Sequence, residues 1–258
     1  MTSFIVISLA ALLSSLLTFF SGFGLGTILL PCFALFFPLE QAIALTGVVH
    51  FLNNAFKTGL VGKHIAWKVI LKFGVTAFVG AFLGAKLLVY LTGDLGLITY
   101  HLMGYELSTS YLKIAVSSMM FIFAALELFP NFNGPKIEEK HLPYGGFLSG
   151  FFGGLSGHQG ALRSAFLIKC NLEKNAFIAT GVFISMIVDV SRLSIYFNNF
   201  QKSDLIENIP LLSTAVLSAF IGAYFGKKLL QKVTIKFLQV TVSIMIILIS
   251  ILMGFGII

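Results

Sequence analysis

Charged side chains are missing from residues 1–39 and again from 237–258, and between these ends polar residues arrive in short clusters separated by long apolar runs. Several runs approach the roughly 20 residues a helix needs to cross about 30 Å of hydrocarbon. They do not alternate apolar with polar positions, as strands of a membrane barrel would. The pattern predicts helices over 3–20, 27–37, 41–61, 69–91, 111–129, 144–156, 160–170, 174–197, 208–230 and 236–258. A single helix over 3–37 would be about 50 Å long at 1.5 Å per residue, too long for one crossing, so the chain is expected to break at Gly22, Gly24 and Gly26. Gly150, Gly153, Gly154, Gly157 and Gly160 play the same part later. At membrane depth such breaks are tolerated only where they line a cavity or are buried in protein. Residues 94–110 are expected to form a loop and 131–143 a polar linker.

The linker divides two stretches that resemble each other. Gly80-Ala81-Phe82-Leu83-Gly84-Ala85-Lys86-Leu87-Leu88 returns as Gly222-Ala223-Tyr224-Phe225-Gly226-Lys227-Lys228-Leu229-Leu230, keeping Gly, Ala, Gly, Lys, Leu and Leu in register. AIALTGV (42–48) returns as AFIATGV (176–182), and SGFGLG (21–26) is echoed by GLSGHQG (154–160), in the same order. The expectation is an all-α integral membrane protein of two homologous transmembrane repeats, 1–130 and 144–258, with glycine-broken helices at their interface. Secondary transporters are built this way, with substrate near the bilayer midplane at the repeat interface.

Composition narrows the class. Hydrophobic residues make up 57% and charged residues 10%, against about a quarter charged in soluble domains. Cys32 and Cys170 both sit in apolar context, so neither a disulfide framework nor a metal site is expected. The first residues lack a basic segment and the apolar run outlasts a signal peptide, so a cleaved leader is not expected. The formal charge of +7 lies at span ends rather than in a basic tail, which suits cytoplasmic loops better than nucleic acid. One basic cluster is Lys63, Lys68 and Lys72 beside Trp67; another is Lys227, Lys228, Lys232 and Lys236. A plain count of eight spans puts them on opposite faces, against the positive-inside rule. Either one glycine-rich segment is re-entrant in one half only, or the span number is odd.

SGFGLGTILLP in the first half, GFLSGFFGGLSGHQGALRSAFL, KCNLEKNAFIATG and VDVSRLSIYF in the second, and the paired GA-x-x-G-x-K-L-L segments together resemble the TauE/SafE family of sulfite exporters and related anion permeases. The resemblance covers essentially the whole chain. It implies seven to nine spans, a duplicated fold and transport of sulfite, sulfonates or similar small oxyanions.

Candidate site residues follow from polar groups on apolar helices. Thr46, His50, Asn53 or Asn54, and Lys57 share one face at i, i+4, i+7 or i+8, and i+11. A lysine at a helix centre costs about 3 kcal/mol on insertion scales, so this face suits a cavity better than lipid. In the second half Ser185, Asp189 and Arg192 repeat the spacing, and Asp189 and Arg192 can pair at i, i+3. Lys57 and Arg192 fall one residue apart in repeat register and are expected to face one central cavity as a clamp for an oxyanion. His158, Gln159 and Arg163 stand at the second break, where the first half has only Gly24, Leu25, Leu29 and Leu30. Specificity is therefore expected mainly from the second half, with Arg163 or His158 nearest the anion. Helices restarting at Gly26 and Gly160 would aim free N–H groups at it.

Enzyme motifs such as HExxH, GxSxG and the Walker loop are absent from the sequence, as are paired catalytic carboxylates. The reading is a cofactor-free secondary transporter of small oxyanions in a bacterial-type inner membrane, with lipid and a small anion as partners, no nucleic acid, and homo-oligomerisation open. Its rivals are an anion channel, and an intramembrane enzyme whose one candidate acid–base pair is His158 with Asp189.

Overall fold

The computed structural model describes residues 1–21, 24–93, 96–102, 104–128, 139–199, 206–229 and 235–257. Ten helices are formed among them: α1 (Thr2–Ser21), α2 (Gly26–Ala34), α3 (Leu39–Val61), α4 (Trp67–Leu91), α5 (Tyr111–Leu128), α6 (Leu142–Ser156), α7 (Gly160–Leu167), α8 (Lys174–Asn199), α9 (Ile209–Leu229) and α10 (Ile235–Gly254). Four of them, α1, α4, α8 and α9, carry stretches long and apolar enough to cross a membrane. The chain is a multi-pass, mainly helical membrane protein. Gly22, residues 129–138 of the linker region, and Lys232 lie outside the described residues.

The helices break where the glycines are. α1 stops at Ser21 and α2 restarts at Gly26. α6 opens with Pro143 in its first turn, where a missing N–H costs nothing. It stops at Gly157, whose φ of +82° is a left-handed cap and whose N–H donates to the Gly153 carbonyl at 2.9 Å. Inside α4, residues Ile70–Gly74 widen into a π turn.

Two seams hold the bundle, and in each a backbone lies directly on a backbone. A methyl added at Gly80 or Gly84 of α4 would overlap the carbonyls of Phe147 or Phe151 of α6. From the other side, Gly146, Gly150 and Gly154 stand against Phe73, Ala77 and Ala81. Gly222 and Gly226 of α9 meet Leu12 and Leu16 of α1 in the same manner. Such small-xxx-small contacts let dispersion work where lipid offers no hydrophobic drive between helices. Each GA-x-x-G-x-K segment thus packs on the first helix of the other stretch of sequence.

These contacts fix directions. Residue numbers rise together across α1 and α9 (12 with 222, 16 with 226) and across α4 and α6 (73 with 146, 81 with 154). Asn53 of α3 lies level with Ala219 of α9, and Lys227 of α9 donates to the Leu60 carbonyl of α3 at 3.2 Å. Hence α1, α3 and α9 run one way. Ser191 of α8 donates to the Phe78 carbonyl at 2.8 Å and Gly74 meets Ile187, so α4, α6 and α8 run the other way. Phe166 of α7 stands on Gly145 near the start of α6, so α7 doubles back after the break.

That return bears on the two basic clusters, which a plain eight-span count puts on opposite faces. Lys227 contacts Leu60, three positions before Lys63, so Lys227 and Lys228 sit at the same end of the bundle as Lys63. α7 adds a pass between them that a plain eight-span count leaves out. At this end Lys72 donates to Glu139 at 2.8 Å; that hydrogen bond, and then the lysine's charge, hold the Glu139 carboxyl below its ordinary range.

Residues 94–110, expected as a loop, contain a β-hairpin in which β1 (Leu97–Leu102) pairs antiparallel with β2 (Tyr105–Ser110), Leu97 opposite Ser110. Gly104, at φ +84°, supplies the turn. Tyr100 donates to the Phe255 carbonyl at 2.8 Å, fixing the hairpin beside the end of α10.

Candidate functional site

α3 and α8 cross in opposite directions at the centre of the molecule, and the buried polar residues meet there. Asp189 of α8 is fully buried and uses both oxygens. Its Oδ2 lies 2.7 Å from His50 Nδ1 and accepts from Asn54 Nδ2 at 3.3 Å. Its Oδ1 accepts from Arg192 Nε at 3.0 Å, with Nη2 at 2.8 Å. The i, i+3 pair expected from spacing is formed. It is shared with two residues of α3, so one carboxylate ties the crossing helices together.

Beside the crossing, toward the basic end, lies a cavity of about 30 Å³ walled by Gly24 and Leu25 of the first break, by His50, Asn54 and Lys57 of α3, and by Arg163 and Ser185. Thr18 and Phe19 of α1 and Gly181 of α8 complete much of the wall. Lys57 Nζ stands 5.3 Å from the centre of the Phe19 ring. Asn53, with its amide turned to suit its neighbours, accepts from Lys57 Nζ at 3.3 Å and donates to Ser15 Oγ at 3.0 Å and the Ala219 carbonyl at 3.2 Å. Arg163 donates to Ser185 Oγ. The buried charged side chains among the described residues are Lys57, Arg163, Arg192 and Asp189. Arg192 and Asp189 form an ion pair behind the wall, and Lys57 and Arg163 line the cavity itself.

The site residues anticipated from sequence are thus divided. His50, Asn54, Lys57 and Arg163 share the cavity, and Asp189 supports it from behind. Asn53 points to α1 and α9 and holds Lys57 in place.

Arg192 does not share the cavity with Lys57, contrary to expectation. Its guanidinium stands against Gly47 and Gly157, 3.4 Å from where a side chain on Gly47 would begin. Because α3 and α8 run in opposite directions, Lys57 and Arg192 diverge from the crossing toward opposite ends.

His158 and Gln159 also lie elsewhere. His158 Nδ1 is 3.1 Å from the Ser156 carbonyl. His158 borders a second, smaller cavity with Thr27, Gly160, Met120 and Phe123. Its Nε2 and both amide atoms of Gln159 are buried without a hydrogen-bond partner among the described residues. Among the described residues, His158 and Asp189 are not hydrogen-bonded to each other. Gly26 is packed against Thr46 and near the Gly157 carbonyl, which brings the two breaks together.

Sequence reasoning missed the polar stripe of α1. Ser15, Thr18 and Phe19 approach the site at i, i+3 and i+4, and Ser14, Ser15 and Thr18 are buried. The absence of charge in α1 drew attention away from these hydroxyls, yet they obey the same one-face rule.

Apolar helices broken around a buried, cation-lined cavity are the kind of setting in which a membrane transporter binds its substrate. The chain belongs to the TauE/SafE sulfite exporter family, whose model matches residues 7–253. No curated protein and no solved structure matches it.

Proposed function

We propose that the protein carries sulfite or a small organosulfonate across a bacterial-type inner membrane, binding it in the cavity between Lys57 and Arg163. The observation that carries this reading is that both buried cations line the same cavity, where an anion lowers the cost of holding both charges out of water. His50, Asn54 and Ser185 supply further hydrogen-bonding groups around the same space.

Transport by alternating access follows from two inverted halves, 1–130 and 144–258, joined by 131–143. Supporting this are the reciprocal glycine seams and the opposed directions of α1, α3, α9 against α6, α8, α4. In each half a short helix returns from a break, as re-entrant segments do in inverted-repeat transporters. His50, Asn54, Lys57, Arg163 and Ser185, which line the cavity, are buried, so an anion reaches them when the walls separate, which suits a moving carrier better than a standing pore. Export from an interior-negative cell gains about 2.3 kcal/mol per 100 mV for each net negative charge that leaves. No nucleotide-binding motif is present in the sequence.

Flux into proteoliposomes with a panel of sulfite, alkylsulfonates, sulfate and chloride tests the reading. Preferential, saturable movement of sulfite or a sulfonate is expected. Equal, unsaturable passage of every anion would replace the carrier with a channel.

A further inference from the structure

His50 joins three elements at the edge of the anion cavity. Its Nδ1 is held by Asp189 of α8 at 2.7 Å. Its Nε2 lies 3.2 Å from where a side chain on Gly24 would begin, so the glycine lets the ring come close to the first break, and Asn54 Nδ2 stands 3.4 Å from the same nitrogen. Histidine is the side chain whose ordinary pKa, about 6.5, lies within the physiological range. The charged groups around it are Asp189 and Arg192 of α8, Arg163 of α7, and Lys57 further along α3. α1 and α2 bring no charged side chain.

Because Arg192 already engages Asp189 Oδ1, a proton on His50 has one oxygen as counter-charge and faces the fields of Lys57 and Arg163. An anion between those cations reverses that balance, since it is a second negative charge beside the ring.

We propose that His50 takes up a proton when an anion binds, so that proton and anion occupy the protein together and move together. The proton comes from water to Nε2, while Nδ1 keeps its hydrogen bond to Asp189; no other bond changes. By linkage, a proton on His50 strengthens anion binding by the same factor with which the anion strengthens protonation. The inference rests on the anion-carrying role of the cavity and names what accompanies the anion.

Isothermal titration of the purified full chain with methanesulfonate, a strong acid whose charge is fixed, tests it. Titrations in two buffers of different ionisation heat give the protons taken up per anion bound. The expected ratio approaches about one within about two pH units of the imidazole value of about 6.5 and declines on either side. In His50→Gln and His50→Asn the ratio falls to near zero at whatever affinity remains, while Lys63→Gln, outside the cavity, keeps it.

Binding without proton uptake from about pH 5.5 to 8.5 around that reference value would overturn the inference and leave anion transport standing. So would an undiminished ratio in either His50 variant. If neither variant folds, the pH profile of the unmodified protein decides, since a maximum outside the imidazole range contradicts a histidine carrier. Absence of both methanesulfonate binding and flux of any sulfur anion would instead remove the transport reading on which it rests.

Discussion

At the scale of single residues, the polar groups divide into those that meet the cavity and those that hold it. Arg163 faces the cavity and donates to Ser185. A hydrogen bond to a charged group is worth about 1.5–3 kcal/mol, so Arg163→Gln is expected to weaken sulfonate affinity roughly ten- to hundredfold, read by titration of the purified protein. Arg192 plays a different part. Removing one partner of a buried ion pair costs about 3–5 kcal/mol, so Arg192→Gln should lower the thermal midpoint markedly while Lys63→Gln leaves it unchanged. An unaltered midpoint in Arg192→Gln would show that His50 and Asn54 suffice for Asp189.

The sequence made most of these residues legible, because a histidine, an asparagine pair, a lysine, an aspartate and two arginines on apolar helices cannot face lipid cheaply. What it could not convey was how α3 and α8 cross. Spacing along a helix says which residues share a face. It is silent on the direction of the partner helix, and that direction sends Lys57 and Arg192 apart.

At the scale of elements, the two glycine seams decide the architecture. Gly150 lies on the Ala77 carbonyl, so Gly150→Leu forces α4 and α6 apart. Overpacking of this kind costs at least about 1–3 kcal/mol, and the variant is expected to yield little folded protein by size-exclusion chromatography. Gly59, on α3 with open space around it, serves as the control. Gly59→Ala should preserve the yield, and helix propensity favours it by about 1 kcal/mol. Equal yields of both variants would contradict a load-carrying seam.

All ten helices were readable from apolar runs and glycine breaks, with ends displaced by a few residues. The hairpin was not anticipated, although Ile98, Thr99 and Tyr100 favour strands and Gly104 marks the turn. Its strands are six residues each and lie between two long apolar helices, where a polar connection is the ordinary expectation.

At the scale of the whole molecule, the direction of each helix carries an orientation. Lys63, Lys68 and Lys72 share one end with Lys227 and Lys228, whereas the hairpin and the end of α10 lie at the other. The positive-inside rule then puts the basic end in the cytoplasm and Met1 with the hairpin outside. Single cysteines at positions 63 and 105 in a background lacking Cys32 and Cys170 test this in intact cells. An impermeant maleimide should label the Tyr105→Cys protein and spare the Lys63→Cys protein. The reverse labelling pattern would invert the assignment.

On the proposed function, a sulfur oxyanion crosses by way of Lys57 and Arg163. Counterflow of labelled methanesulfonate in proteoliposomes tests it most directly, because only a carrier that returns with its substrate lets label accumulate transiently against excess unlabelled anion inside. A clear overshoot is expected in the unmodified protein and in Lys63→Gln, and none in Lys57→Gln or Arg163→Gln reconstituted at equal amounts. An overshoot of equal height in all four proteins would contradict it.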